Sequence, residues 1–522
     1  MYGVRAFLPA VFAVAVVGFG FYSHRETVTT MPIVEATVAN KAAAATASAP
    51  ADEHTLTRAT EAVELLQTAP DRGLEITNYN LPRLEASIER LKHGDRSAAD
   101  RSTQLAALDR DVRKVLLAFA HDAAVGRTSP TAIEPTWKNQ RPSQDFSASL
   151  DQAGHDSLSH WIDRLEPQHA EYRALKQALR DLRAQDSKGG WPQVPLRLLK
   201  PGMSDAAVVT LRQRLAASGD LPQGGDAGNT SYDQDVEAAV RVFQEHHAMK
   251  PTGIADRPTL IAMNVPLAAR IRQVEMNLER WRWMPDDLGS RHFLVNIPSY
   301  LLMLRENGQT VRAIRVVVGK PGHETPIFSG NMETVVFSPF WNVPDSIAEG
   351  ETAPAIRQDP NYLARNQIEV VRRTKGGARI VNPEDVNWYD PDELKDLSFR
   401  QRPGAKNALG HVKFLFPNGF NVYLHDTPAD KLFARTSRAF SHGCVRVEEP
   451  EALAAYVLRD DAEWTAERIS AAMNAGVEKY VKLAETIPVH IAYFTTWVDE
   501  ENGLYFLPDV YGYETRQLKL IK

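Results

Sequence analysis

The sequence predicts a multidomain α+β protein, and three observations carry that prediction. Apolar residues recur at helical spacing through most of residues 53–281. From Phe293 onward the pattern changes to period two, with many β-branched residues, as expected for strands. The chain has 522 residues and a mass of 58.1 kDa, more than one hydrophobic core organises, and domains of ~100–200 residues make three a reasonable count. Hydrophobic content of 43% and charged content of 24% describe an ordinary folded protein. A net charge of −6 without a dominant basic patch argues against a nucleic-acid partner. The sequence leaves the oligomeric state open.

The elements follow in chain order. Residues 6–22 are uncharged, with Arg5 before them and His24-Arg25 after. Seventeen helical residues span ~26 Å, slightly short of a ~30 Å hydrocarbon core. An export signal needs a small-x-small cleavage site after its apolar run, and Phe19, Phe21 and Tyr22 disfavour one. Residues 1–25 therefore read as an uncleaved membrane anchor, N-terminus inside, with the rest of the chain exported. The Ala-rich stretch 42–49 leaves room for a later cut. Residues 26–52, rich in Ala, Thr and Val, read as a flexible linker that reaches ~90 Å when extended.

Residues 53–190 read as a helical scaffold. Leu105, Leu108, Val112, Val115, Leu116 and Phe119 lie on one helical face, as do Tyr172, Leu175, Leu179 and Leu182. They form no chemical constellation. Gly189-Gly190-Trp191-Pro192 marks a boundary. Residues 195–265 form a small three-helix module: Val208, Leu211 and Leu215 on the first helix, then Val236, Val240 and Phe243 behind an Asp233 N-cap, then Leu260 and Ile261. Asp235-Val236, Ala239-Val240, Phe243-Gln244, Thr252-Gly253-Ile254-Ala255-Asp256 and Thr259-Leu260 resemble the peptidoglycan-binding domain type 1. The Gly- and Asp-rich insert 221–231 departs from the tightest versions of that motif. Residues 266–289 carry a connecting helix, and Trp281 and Trp283 read as core packing rather than a sugar platform.

Residues 290–498 read as a β-rich domain. Strands are expected at 293–297, 300–305, 311–318, 334–337, 413–416 and 421–424, with a hairpin turn at Asn307-Gly308. The strand pattern breaks across 345–398, a polar stretch with Pro and Gly that reads as a lid insertion. Helices are expected at 450–458 and 465–475. A last hairpin, 489–497 with 504–507, turns at Asn502-Gly503, and residues 499–522 form the C-terminal hairpin and tail.

Cys444 is the one cysteine of the chain, so it has no internal disulfide partner and no Cys-rich zinc site. It sits in Ser441-His442-Gly443-Cys444-Val445-Arg446, with Tyr423-Leu424-His425-Asp426 upstream. A lone cysteine is usually an inert buried hydrophobe. Two histidines and an arginine nearby, all able to lower a thiol pKa, favour a nucleophile instead. His425, at the end of an expected strand, is the candidate general acid/base. Asp426 is its candidate orienting group; neighbours on a strand face opposite ways, which favours the Asp426 carbonyl over its carboxylate. Backbone N–H groups at Gly443 and Cys444 are candidates for an oxyanion hole, worth ~3 kcal/mol per donor. His442 and Arg446 supply shape and charge, or Arg446 ties the loop down through a salt bridge.

His425, fifteen further residues and then Ser441-His442-Gly443-Cys444-Val445-Arg446 resemble the L,D-transpeptidase (YkuD-type) catalytic domain. Arg402-Pro403-Gly404, Asn407-Ala408-Leu409-Gly410 and Tyr423-Leu424-His425-Asp426-Thr427-Pro428 are similar to the large, lid-bearing Gram-negative subgroup, as is the domain order. The resemblance implies a small mixed β-sandwich for the catalytic domain. It implies that Cys444 attacks the amide between diaminopimelate and D-Ala of a tetrapeptide stem, and that another stem's amine resolves the thioester into a 3→3 cross-link without a cofactor. Tyr423, Asn407, Arg402, Ser441 and Arg446 are then substrate contacts, and Trp341 with the insertion forms a wall and lid. Carbapenems acylate such a cysteine. The implied partners are stem peptides, glycan strands and, through the anchor, the inner membrane of a periplasmic enzyme. Water, a lipoprotein lysine or a free D-amino acid as acceptor would make the same acyl-enzyme a carboxypeptidase, an anchoring enzyme or an exchange enzyme. From other classes, a non-catalytic wall-binding protein and a metal amidase using His411, His425 and His442 remain as rivals.

Overall fold

The computed structural model describes residues 36–522, apart from 95–96, 143, 154–156, 223–227, 375–376, 502 and 522. The expected anchor at 1–25, part of the 221–231 insert and Asn502 of the last turn therefore lie outside the described residues. Among the described residues no helix is long and apolar enough to cross a membrane.

The chain opens with α1 (Ala36–Gln67). Residues 36–52, expected as linker, are the first half of this helix. The reason is composition: alanine has the strongest helix propensity, and the Ala run that reads as flexible is also a good helix former. α2 (Leu81–His93), α3 (Ala98–Ala124), α4 (Pro130–Ile133), α5 (Ser147–Gln152) and α6 (Leu158–Leu165) follow. Leu66, Leu84, Leu108, Val112, Phe119 and Trp161 of this region share one core. α7 (Ala170–Asp186) behaves differently. Its Tyr172, Leu175, Leu179 and Leu182 stripe packs on the connecting helix and on Leu294, Met303 and Phe494 of the β-rich domain.

The module comprises α8 (Ala206–Ala217), α9 (Gln234–His246) and α10 (Arg257–Met263) around Val208, Leu211, Val240, Phe243 and Leu260. Each helix starts at an aspartate whose side chain accepts a backbone N–H: Asp205 from Ala207, Asp233 from Val236, Asp256 from Thr259. Buried Gln244 accepts from the Gly253 N–H and donates to the Ile254 carbonyl. That pairing explains physically why Phe243-Gln244 and Thr252-Gly253 occur together. α11 (Leu267–Arg282) then leads into the β-rich domain, and Trp281 and Trp283 are each 1% exposed, as core residues.

The strands of this domain are β1 (Arg291–Asn296), β2 (Leu301–Glu306), β3 (Gln309–Gly319), β4 (Ser329–Phe337), β5 (Trp341–Asn342), β6 (Ile368–Thr374), β7 (Gly377–Val381), β8 (Leu397–Gln401), β9 (Val412–Leu415), β10 (Leu424–His425), β11 (Ala439–Ser441), β12 (Val445–Val447), β13 (Lys479–Ala492), β14 (Thr496–Val498) and β15 (Leu504–Phe506). Asn307 and Gly308 join β2 to β3 with φ of 50° and 83°, the paired left-handed conformations of a tight hairpin turn. Among the described residues the main sheet has nine strands in the order β11-β3-β12-β10-β9-β4-β13-β1-β2, and β3 also pairs with β2. The sheet therefore closes on itself with β11 outside the ring. The mixed sandwich of the sequence reading is this one mixed sheet, folded round a core that includes Phe293, Val316, Val335, Phe414, Leu424 and Val445.

Two expectations change here. The stretch 345–398 is no broken-pattern loop. β5, β8, β6 and β7 form a separate four-stranded sheet over a core of Val343, Ile356, Leu363, Val370 and Phe399. Its strand residues Ile368, Val370 and Val371 are β-branched, but charged and turn residues dilute the surrounding pattern. The last hairpin is shorter than expected: 489–492 end β13, which pairs with both β1 and β4, and the chain closes with the helix Tyr513–Ile521.

Candidate active site

The site is built by a two-residue parallel pairing. Leu424 of β10 lies opposite Val445 of β12, and His425 opposite Arg446. Side chains alternate along a strand, so Leu424 and Val445, both 0% exposed, enter the core. Tyr423, His425, Cys444 and Arg446 consequently share the opposite face, and all four line one cleft of about 190 Å³. The Tyr423 and His425 rings are 5.6 Å apart. The Val445 N–H donates to the Tyr423 carbonyl at 3.2 Å and holds the two segments in register.

His425 is 4% exposed and its Nδ1–H donates to the Asp426 carbonyl at 2.5 Å. A carbonyl only accepts, so Nδ1 carries the proton and Nε2 keeps its lone pair for a substrate or thiol proton. Burial, reinforced by the Arg446 charge, pushes the imidazole down to about 3. The Asp426 carboxylate points elsewhere: it accepts from the His411 N–H at 2.7 Å and the Thr427 N–H at 2.6 Å. Gly410, at φ +58°, allows this, since a Cβ there would lie 2.2 Å from Asp426 Cγ.

Cys444 Sγ lies 3.8 Å from the Asn421 carbonyl. Burial pushes its thiol up, against the pull of Tyr423 hydrogen bonds and of Arg446. Arg446 lowers the thiol as the sequence reading expects, neither histidine contributes, and the net shift is upward. Desolvation outweighs these pulls: burial holds the Cys444 thiol above its ordinary value and the His425 imidazole below its own. The Arg446 Nε is buried without a hydrogen-bond partner, and no ion pair ties the residue down among the described residues, so the salt-bridge reading of Arg446 does not hold.

The turn before Cys444 is stapled from distant segments. Gly443, at φ +113°, donates its N–H to Ser441 Oγ at 3.2 Å, and the Ser441 hydroxyl donates to the Cys444 carbonyl at 2.6 Å. The Gly443 N–H is thus committed to Ser441. The Thr325 hydroxyl donates to the Gly443 carbonyl at 2.8 Å, and the Tyr511 hydroxyl bonds both Thr325 N–H and the Gly319 carbonyl. Thr325 and Tyr511 carry no local sequence signal, because their roles exist only through long-range contact.

The remaining expected residues divide. Trp341 lines the cleft with Pro344, Ile347 and Glu351 of the insertion. Ser441 borders it, but with its side chain buried and its hydroxyl used in the turn. His442 Nε2 meets Glu351 Oε1 at 2.9 Å and Lys320 Nζ at 3.3 Å, which ties the insertion to the catalytic loop. Asn407 is 0% exposed; its amide donates to the Pro339 and Arg402 carbonyls, so it braces the root of the insertion instead of meeting substrate. Arg402 pairs with Glu369 at 2.6 Å and does not line the cleft. His411 bonds the Met473 carbonyl, so His411, His425 and His442 do not converge.

Comparison with known proteins places these parts in context. The L,D-transpeptidase catalytic domain family (YkuD) matches residues 290–479, a "Scaffold domain" matches 51–179, and a "Putative peptidoglycan binding domain" matches 204–263. A Haemophilus influenzae protein described as "Putative L,D-transpeptidase" is 34% identical over 249 residues, which span 48% of this chain and 49% of that protein. The chain thus aligns with about half the length of this relative. Among solved structures, the L,D-transpeptidase of Stackebrandtia nassauensis is 14% identical with a TM-score of 0.21, covering 57% of this chain and 96% of that one. The L,D-transpeptidase of Xylanimonas cellulosilytica is 15% identical with a TM-score of 0.18, covering 57% and 98%. Residues 51–179, 204–263 and 290–479 are thus similar, in chain order, to a scaffold domain, a putative peptidoglycan binding domain and an L,D-transpeptidase catalytic domain.

Proposed function

We propose that this protein is a cell-wall L,D-transpeptidase that forms 3→3 peptidoglycan cross-links through an acyl-enzyme on Cys444. The observation that carries the reading is the shared face of Tyr423, His425, Cys444 and Arg446, with His425 locked in the tautomer that leaves Nε2 open. Donor binding brings a tetrapeptide carbonyl to Cys444. The thiol proton passes to His425 Nε2 as sulfur attacks the carbonyl carbon of residue three, and the Cys444 N–H stabilises the oxyanion. The imidazolium returns that proton to the leaving D-Ala amine as the amide bond breaks. In the second half, the side-chain amine of another stem attacks the thioester, His425 accepts its proton, and Cys444 is released as the thiol.

Arg446, a cation without a carboxylate partner beside the nucleophile, suits the terminal carboxylate of the donor D-Ala. Trp341 and the insertion form one wall. In this reading carbapenems acylate Cys444, residues 1–25 anchor the enzyme in the inner membrane, and the catalytic body works in the periplasm. The test incubates the protein with purified disaccharide-tetrapeptide and analyses products by mass spectrometry. A dimer lacking one D-Ala, fragmenting with a 3→3 bond, is expected. Disaccharide-tripeptide without dimer would make it an L,D-carboxypeptidase, and unchanged substrate would favour a non-catalytic wall binder.

A further inference from the structure

A second cleft opens behind the catalytic loop, where the module meets the catalytic domain. Its cavity volume is about 510 Å³. One wall is the end of α9 and the turn after it, with Met249 and Lys250; the other includes Tyr300 and the loop 433–438, which runs straight into β11 and Cys444. It continues into a neighbouring cleft of about 650 Å³, and Leu301, Trp497 and Tyr505 line both. The two form one groove across β2 and β3.

The chemistry of this groove is specific. Lys250 and Arg435 are exposed and have no carboxylate partner among the described residues. Arg435 stacks on Phe440, 5.1 Å from the ring centre. Arg438 donates to the carbonyls of Val316, Tyr300 and Arg435, which hold its position without neutralising its charge. Arg315 is already paired with Glu448, Glu245 is an acid on the same rim, and the neighbouring cleft is lined by Glu171, Asp499, Glu500 and Glu501, of which Glu171 and Glu500 pair with Arg305, so the unpaired cations lie in the first cleft alone. Tyr300, Trp497 and Tyr505 add aromatic surface, with the Trp497 and Tyr505 rings 5.6 Å apart. Aromatic faces pack against the apolar faces of sugar rings, and fixed cations attract carboxylates.

We propose that this groove binds an amino-sugar polymer with pendant peptide carboxylates, as a strand separate from the stem held at Cys444. The inference rests on the function proposed above and adds where the polymer lies: the binding module and the catalytic loop grip it jointly. Lys250 and Arg435 meet its carboxylates and the Trp497–Tyr505 pair its sugar faces. The loop 433–438 leads through β11 into the turn that carries Cys444, which links the groove to that turn along the chain.

The test uses the full chain. Binding of soluble, uncross-linked glycan-peptide strands is measured by calorimetry with a Cys444→Ala chain, then with Lys250→Glu and Arg435→Glu added, and separately with Arg435→Gln alone. The charge-reversed chain is expected to bind about tenfold more weakly, more so at low salt than at high salt, with Arg435→Gln intermediate. Strands stripped of their peptides are expected to lose little. In chains that keep Cys444, acylation by free tetrapeptide is expected to be unchanged by the same substitutions. Equal strand affinity in parent and variants, or an equal loss for stripped strands, overturns the proposal. Charge-dependent strand binding in a chain whose Cys444 never acylates would leave the groove standing and remove the transpeptidase reading instead.

Discussion

The closed sheet and the insertion are two β structures in one domain, and they meet the same cleft in opposite ways. The ring places Tyr423, His425, Cys444 and Arg446 by backbone register, with Leu424 and Val445 anchored in the core behind them. The insertion has its own sheet and core, and reaches the cleft through Trp341, Pro344, Ile347 and Glu351. Its link to the catalytic loop is a polar contact, Glu351 to His442. Under the proposed function, reactivity belongs to the ring and access to the insertion. Damage to the ring should abolish chemistry, whereas damage to the insertion should alter which substrates reach it.

The largest expected effect is that of Cys444→Ala, which removes the proposed nucleophile. Turnover of tetrapeptide should fall to background while the melting temperature stays close to that of the parent, because one half-buried sulfur contributes little packing. A variant that still turns over would place the chemistry elsewhere. Next comes His425→Gln, expected to lower kcat/KM by about 10²–10⁴. It should also blunt the acid sensitivity of the fold. Burial holds His425 at about 3 and His490 at about 4, below the ordinary 6.5. The unfolded chain then binds more protons than the folded one between those values. Their contribution to stability is complete above 6.5 and is lost as pH falls through the folded values. Thermal melts from neutral to acidic pH should show this decline, less steeply in the variant.

Asn407→Ala tests the joint between the two regions. Removing a buried amide with two carbonyl partners should cost about 1–3 kcal/mol, read by denaturant unfolding. The folded fraction should still acylate. A variant of unchanged stability that no longer acylates would return Asn407 to the substrate. The smallest effect is expected of Glu351→Gln, which weakens the tie between insertion and loop. Alkylation of Cys444 by a small reagent should hardly change, while the rate on polymer substrate shifts a few-fold. Equal shifts in both would mean that the insertion acts on reactivity and not on access.

How much of this was legible in the sequence follows from the range of the forces involved. Period-two alternation announced β1, β2, β3 and β9, and Asn307-Gly308 announced their hairpin, because these are local signals. The site's short motifs were legible for the same reason: Cys444 and His425 sit in distinctive strings. Their proximity depends on a two-residue strand pairing that no local pattern encodes. The direction of the Cys444 shift was missed because it is set by burial, a property of the assembled cleft. Asn407 and Arg402 were misplaced because a motif residue that braces a loop looks the same in sequence as one that touches a ligand. Thr325 and Tyr511 were invisible, since each acts on the catalytic turn from a distant segment. The 36–52 stretch shows the converse problem: its Ala-rich composition fits both a linker and a helix.

The most direct test of the account is acid-quenched intact mass spectrometry of the full chain with tetrapeptide, followed by peptide mapping. A tripeptide acyl group on the peptide containing Cys444, with release of D-Ala, is expected in the parent, absent from Cys444→Ala and strongly slowed in His425→Gln. An adduct on another residue, or one that survives in Cys444→Ala, would contradict the assignment of this face as the catalytic centre.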